Sequence, residues 1–264
     1  MLEDLVLHRQ EGGWLEIGIA RPEKRNALRE RTAEEFLATL EEAESDPAIR
    51  AVLIHGAPPV FCAGVDTASF AMPAGGPFEQ WRQRRSTRRI SRLYRSLPEF
   101  TKPCIAVVDG YAFGGGFELA LMCDLIVASR SSEFALTEVR LGMLPGGGGT
   151  QTLARIVGRA MAKKLIWTGE RISGERAAEL GIVTVLTESG EALDEARKLA
   201  AQIAANAPLP NMFSKALVDQ GVDMTARQGL MQEGDLSFAL SFSEDRQEGL
   251  AAFKEKRKAV FQGR

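Results

Sequence analysis

The sequence predicts an α/β fold, on three observations. Short apolar runs rich in β-branched residues alternate with amphipathic helical stretches as far as Leu186. Their spacing is short and irregular, which argues against a regular doubly wound sheet. After "NAPLP" at 206–210 no strand pattern remains, and the chain reads as helix to its end. A boundary near Pro208 therefore divides a core, 1–207, from a helical C-terminal region, 208–264.

The elements follow in order. Leu15, Ile17 and Ile19 alternate with Glu16 and Gly18, a strand pattern that pairs with Leu5–Leu7 across a turn at 11–13. "RPEKRNA" breaks it. From about 30 to 45, Phe36, Leu37, Leu40 and Ala43 share one helix face. "RAVLIHG" (50–56) is a β-branched strand leading into the loop "APPVFCAGVD", and 67–78, with its Pro and Gly, is irregular. A basic helix carries Ile90, Leu93, Tyr94 and Leu97 at helical spacing. "KPCIAVVDG" is a strand, "FELALMC" a helix, and "DLIVAS" and "SEFALTEV" are strands. "LGMLPGGGGTQ" is a loop before further helices, and "GIVTVL" is a late strand. There is no internal repeat.

Composition excludes several function classes. At 264 residues and 45% hydrophobic the chain can bury a sizeable core, and a net charge of −2 carries no general affinity for polyanions. Cys62, Cys104 and Cys123 are an odd count without metal-type spacing, which reads as reduced intracellular thiols. "MLEDLVLHRQ" has early acids and no cationic start to an apolar run, so no signal or transit peptide is expected. No apolar run is long enough to span a membrane. The expectation is a soluble cytoplasmic protein. Both histidines, His8 and His55, sit in strand-like runs, which disfavours a Ser/His/Asp or metal site. "QWRQRRSTRRISRLYR" (80–95) holds seven arginines. It reads as a solvated helix face with a core-facing apolar stripe, the alternative being an anion-binding face for phosphates or RNA.

The stretch most in need of a function is "DGYAFGGGFE" (109–118), three glycines running into a helix with a glutamate behind them. No Lys-Ser or Lys-Thr pair follows either glycine run, so the phosphate-loop pattern fails, as does the dinucleotide spacing. A third use of such glycines is an oxyanion hole. Glycine lets backbone approach a ligand closely, and an N–H at a helix start is unpaired and lies at the positive end of the dipole. One such donor is worth about 2.7–4 kcal/mol of barrier. A second donor is needed, and "FCAGVD" (61–66), another strand-to-loop turn with a glycine, is the candidate.

Together these segments, with "EFALTEVRLGMLPGGGGTQTLARIVGRAMAKKLIWTGE", resemble the crotonase (enoyl-CoA hydratase/isomerase) superfamily, most strongly over 58–185. The resemblance implies a spiral of ββα turns with a C-terminal helical trimerisation region. It implies that Val65 and Gly115 donate the two oxyanion-hole N–H groups to an acyl-CoA thioester oxygen. Glu118 and Glu138, twenty residues apart, match the two hydratase carboxylates. Taken alone, Glu118 is also an ordinary first-turn helix acid, and Glu138 a loop acid for Arg140 or Arg155. Hydration adds oxygen to Cβ and a proton to Cα on one face, which two glutamates gripping one water can do. Isomerases commonly keep one of the pair. Which glutamate is base stays open, and the two are expected to titrate together.

The same resemblance implies that backbone near Lys24, Arg25 and Ala27, and from Ala63 to Asp66, holds the coenzyme A portion of the substrate. Ala68 stands where a lysine often meets the CoA phosphate, so Lys24, Arg25 or Arg82 would have to compensate. Phe253 and Lys256, in "FKEKRK", would complete a neighbouring subunit's site in a homotrimer or a hexamer of stacked trimers. The stretch 67–81, with Phe70, Met72, Phe78 and Trp81, would line an apolar acyl pocket. No metal or redox cofactor is implied, and membrane or nucleic-acid partners are not expected. The function expected is hydration of a 2-enoyl-CoA. The alternatives are a carnitinyl-CoA-type dehydratase, an aromatic enoyl-CoA hydratase-lyase, an isomerase, or a non-catalytic RNA-binding relative.

Overall fold

The computed structural model describes residues 2–70, 76, 78 and 89–264. The N-terminal alternation folds as a hairpin, β1 (Leu5–Gln10) against β2 (Trp14–Ile19), antiparallel with Leu5 opposite Ile19 and Gln10 opposite Trp14. Gly13, at φ 93°, supplies the left-handed turn residue. There follow α1 (Glu30–Ser45), β3 (Ala51–Gly56), α2 (Arg89–Glu99), β4 (Cys104–Val108), β5 (Tyr111–Phe113), α3 (Gly115–Leu121), β6 (Leu125–Ser129) and β7 (Glu133–Ala135). Then come α4 (Gly149–Val157), α5 (Arg159–Thr168), β8 (Ile172–Ser173), α6 (Gly174–Glu179), β9 (Val185–Thr187) and α7 (Ala192–Ala204). The chain closes with α8 (Pro208–Gly221), α9 (Ala226–Leu240) and α10 (Glu244–Glu255).

Two sheets organise these elements. One has six strands in the order β1-β2-β3-β4-β6-β9, parallel except for the hairpin, and the other has three, β5-β7-β8. The chain steps between them: β4 then β5, β6 then β7, β8 then β9. The site forms elsewhere, at the segment after β3 and at the turns by which the chain leaves β5 and β7.

The core explains the arrangement. Strand β4 is buried along its whole length, as a parallel strand covered on both faces must be. On one face Phe36, Leu93, Leu97 and Phe117 are fully covered. On the other, α7 presents Ala192, Ala196 and Ala200 at intervals of four, small enough to lie flat on Leu53, Ile105 and Val127.

Several expectations need correction. The strand in "SEFALTEV" ends at Ala135, and Glu138 instead opens a 3-10 turn, Glu138–Leu141. The strand in "GIVTVL" shrinks to Val185–Thr187, while Ile182 and Val183 are buried outside it. Three-residue β5 and two-residue β8 were not foreseen, being too short for any periodicity. Beyond Pro208 the elements are helices, as expected. Both α8 and α9 bury no residue and leave Val218, Val222, Leu230, Met231 and Phe238 exposed. Among the described residues no helix is long and apolar enough to cross a membrane.

Candidate active site

The segment 61–66 is threaded between two backbones. Cys62 N–H donates to Tyr111 O at 3.1 Å, and Phe113 N–H to Cys62 O at 3.0 Å. Two residues on, Leu28 N–H donates to Gly64 O and Asp66 N–H to Leu28 O, both at 2.8 Å. Backbone groups alternate sides along an extended segment, so the Val65 N–H between these bonds faces away from Leu28. Gly64, at φ 111°, permits the bend.

The second donor stands across from it. Gly114 (φ 50°, ψ −125°) caps α3, and Gly115 is the first helical residue, whose N–H has no intrahelical acceptor. A Cβ built on Gly115 would lie 3.4 Å from the Val65 nitrogen, and one built on Gly64 would lie 3.5 Å from the Gly115 nitrogen. The two N–H groups thus border one spot. Among the described residues neither donates a hydrogen bond. A Cβ on Gly116 would meet Cys62 O at 2.3 Å, so the third glycine is required by close packing.

The carboxylates face the same cavity, of about 770 Å³, bordered by Val65, Gly115, Glu118 and Glu138. Glu118, one turn into α3, is 3% exposed. Its Oε1 accepts from Gly147 N–H at 2.7 Å and Gly149 N–H at 2.9 Å. Burial, with the Glu138 charge adding to it, pushes its pKa up to about 7 against the pull of those N–H donors. Burial also raises Glu138. Both Glu138 oxygens are buried without a partner among the described residues. Arg140 is not that partner, since it donates to Gly169 O at 2.8 Å, and Arg155 reaches Asp223 at 3.4 Å. Burial thus favours the protonated form of both acids, and Glu118 is raised to about 7.

A stability consequence follows with a definite sign. Glu118 has a folded pKa above its ordinary value of 4.5, so the folded state binds the proton more tightly. Any stabilisation from that proton is complete below pH 4.5 and is lost as pH rises through 7. Glu118→Gln removes the buried charge. The variant should therefore melt above the wild type at pH 8, by on the order of 3 kcal/mol at most, and match it below pH 4.5. Melting temperatures across that range check this.

Sequence reasoning missed three parts of the site. The run Gly146–Gly149, in sequence only a loop before a helix, holds Glu118 through the N–H groups of Gly147 and Gly149. Gly148 stands at φ 114°, which an L residue rarely adopts, so Gly148→Ala strains the backbone of this run even where the flexible Met122 side chain swings aside. The signal was available: this run, like the first, stops at a helix N-terminus. Tyr94, read as core, also borders the cavity. Leu141, Met143 and Leu144 form an apolar wall that lies outside the stretch expected to do so. Of that stretch, Thr67 borders the cavity and Phe78 is exposed. Met72, Trp81 and the Phe70 side chain lie outside the described residues, as does most of the arginine run, Arg82 included.

Part of the set carried over for coenzyme A forms a ledge, the segments 24–28 and 63–66 being joined by Ala63 N–H to Arg25 O at 3.0 Å and Asp66 N–H to Leu28 O at 2.8 Å. Ala63 borders the cavity, Lys24, Arg25 and Ala68 are exposed, and Ala27 is buried. The Asp66 side chain is engaged locally, with Arg21 at 3.2 Å and Ala68 N–H at 3.1 Å. Phe253 is 84% exposed at the end of α10, and Lys256, also exposed, caps that helix at φ 55°. Neither borders this chain's own cavity.

A family model described as enoyl-CoA hydratase/isomerase matches residues 9–264. The chain belongs to the enoyl-CoA hydratase/isomerase family. It is a crotonase-superfamily member, and its hydratase relatives match most of its length. The 2,3-dehydroadipyl-CoA hydratase of Escherichia coli K12 is 36% identical over all of both chains. The mitochondrial enoyl-CoA hydratase of Pongo abelii is 36% identical over 93% of this chain and 82% of its own. The crystal structure of the Bacillus anthracis enoyl-CoA hydratase superposes with a TM-score of 0.92 at 33% identity, covering 99% of this chain and all of that one. The protein is thus a hydratase/isomerase-family enzyme with a mixed α/β fold, of a family that acts on CoA thioesters.

Proposed function

We propose that this chain is an enoyl-CoA hydratase that adds water reversibly, on one face, across the double bond of a 2-enoyl-CoA. The observation that carries the reading is the pair of buried carboxylates facing one cavity beside two unengaged backbone N–H groups. Val65 and Gly115 would hold the thioester oxygen and take the negative charge that develops there on the way to the enolate. Glu118 and Glu138 would grip one water, deliver its oxygen to Cβ and pass a proton to Cα. With Glu118 Oε1 held by Gly147 and Gly149, its Oε2 is the oxygen left for the water. Proton transfer and charge stabilisation suffice for this chemistry, so the proposal includes no metal or redox cofactor.

Retention of both acids favours hydration or dehydration over isomerisation. Substrate identity is tested directly by assaying the purified protein with a panel of enoyl-CoAs: crotonyl, long-chain, aromatic, and 2,3-dehydroadipyl, the last prompted by the E. coli relative's name. No hydration of any of them would overturn the reading.

The proposal includes a cytoplasmic location, supported by three free cysteines, and a homotrimer or hexamer. The support for the latter is the apolar surface that α8 to α10 leave exposed, including Phe238, Phe242 and Phe253. Phe253 and Lys256 would then complete a neighbour's CoA site, alongside Lys24, Arg25 and the ledge at 63–68. Light scattering should give the mass of three or six chains, and a stable, active monomer would remove the role of Lys256.

A further inference from the structure

Tyr94 reaches the site from α2, on the face that packs in the core. It is 5% exposed, yet borders the cavity. Its Oη donates to Gly115 O at 2.9 Å. The Tyr94 Oη lies 2.5 Å from where a Cβ on Gly115 would stand, with Val65 Cγ2 at 2.9 Å from the same point. Ring carbons Cδ2 and Cε2 lie 2.6 and 2.7 Å from where a Cβ on Gly147 would stand. One side chain therefore touches the residue that offers an oxyanion donor and the residue whose N–H holds Glu118.

A phenylalanine would fill the core equally well, so the hydroxyl calls for its own account. Glycine has the widest backbone freedom of any residue, and the donor Gly115 has a glycine on either side. Gly114 N–H is tied to Ala135 O at 2.8 Å on one side. On the other side, Gly115 O is tied to Tyr94. The peptide that bears the Gly115 N–H is held at its own carbonyl by Glu118 N–H, which donates to Gly114 O at 3.0 Å, and lies between these two anchors, of which Tyr94 is the side-chain one. We infer that Tyr94 is a positioning residue: its hydroxyl fixes the Gly115 backbone so that the N–H points at the thioester oxygen. The inference rests on the oxyanion-hole part of the hydratase reading.

Tyr94→Phe tests it, since the change removes only the oxygen. The measurements are kcat and KM with crotonyl-CoA, melting temperature, and the infrared carbonyl stretch of bound butanoyl-CoA carrying 13C at the thioester carbon. Butanoyl-CoA is saturated and cannot turn over, so its carbonyl reports the donors alone. In Tyr94→Phe, kcat should fall roughly tenfold or more with KM within about twofold, as misaiming of a reacting group implies. The bound carbonyl should move back toward its frequency in water. Leu97→Ala, one turn along the same helix in the core, should lower the melting temperature while leaving the carbonyl frequency unchanged. The inference is overturned if Tyr94→Phe keeps wild-type kcat and carbonyl frequency, or if Leu97→Ala shifts the carbonyl as much. Should the wild type hydrate nothing yet shift the carbonyl of butanoyl-CoA, the hydratase reading fails alone, and the frequency in Tyr94→Phe still decides the role of Tyr94.

Discussion

Gly115→Ala is expected to lower kcat by about 10²–10³-fold, the usual cost of losing one oxyanion-hole donor. The physical reason is local. The new Cβ would stand 2.5 Å from Tyr94 Oη and 2.9 Å from Val65 Cγ2, contacts that real Cβ atoms do not make. Something must shift, and the nearest movable parts are the hydroxyl that anchors Gly115 and the segment that carries the other donor. Gly115→Val should be worse still. The residue sits at a helix start, so the protein should keep its fold with a modest fall in melting temperature. Turnover and melting temperature measured side by side check this. Full turnover in Gly115→Ala would sink the oxyanion-hole assignment. Gly148→Ala is an informative companion, because it attacks the other carboxylate support. It strains a φ of 114° in the run that holds Glu118, so a loss of turnover there reports on the acid instead of the oxyanion.

Glu118→Gln and Glu138→Gln are each expected to lower kcat by at least about 100-fold, the worth of a positioned acid–base group. Binding of a saturated acyl-CoA should largely survive, since the thioester donors are backbone groups that neither change touches. The two variants should differ in one respect. Glutamine at 118 can still accept from Gly147 and Gly149 through its carbonyl oxygen, so that site keeps its geometry and loses only its charge. Glutamine at 138 brings an amide into a place where neither oxygen of the native side chain has a partner among the described residues. Its N–H groups gain no acceptor there, so Glu138→Gln should not share the stabilisation predicted for Glu118→Gln at pH 8. Near wild-type hydration of the best substrate by either single variant would refute that residue's role.

How much of this was legible beforehand can be judged residue by residue. The hairpin, β3, β4, β6 and α1 were readable because each is long enough to show its period, as Leu15, Ile17 and Ile19 do. The β5 and β8 strands were not, at three and two residues, because pairing alone defines them. The two glycine turns were readable from the residues as candidate N–H donors, whereas Val65, Gly115, Glu118 and Glu138 took their roles from the resemblance to the crotonase superfamily. The arrangement of the four was not in the spacing. They stand together because the segment after β3 and the turns that leave β5 and β7 are hydrogen-bonded side by side, Phe113 N–H to Cys62 O and Gly114 N–H to Ala135 O.

What the sequence by itself determined is therefore the set of elements with enough length to repeat, and the backbone positions where only glycine serves. What only the tertiary structure decided is who touches whom. Tyr94 looked like core because its spacing along α2 is that of a core residue, and it is one. That its hydroxyl meets Gly115 and its ring meets Gly147 depends on three segments converging in space. The charge state of Glu118 is of the same kind. A carboxylate's ordinary pKa is a property of the residue, but its rise to about 7 comes from lost water and a neighbouring acid twenty positions away. Desolvation is set by everything that surrounds a group, and no local window of sequence contains that.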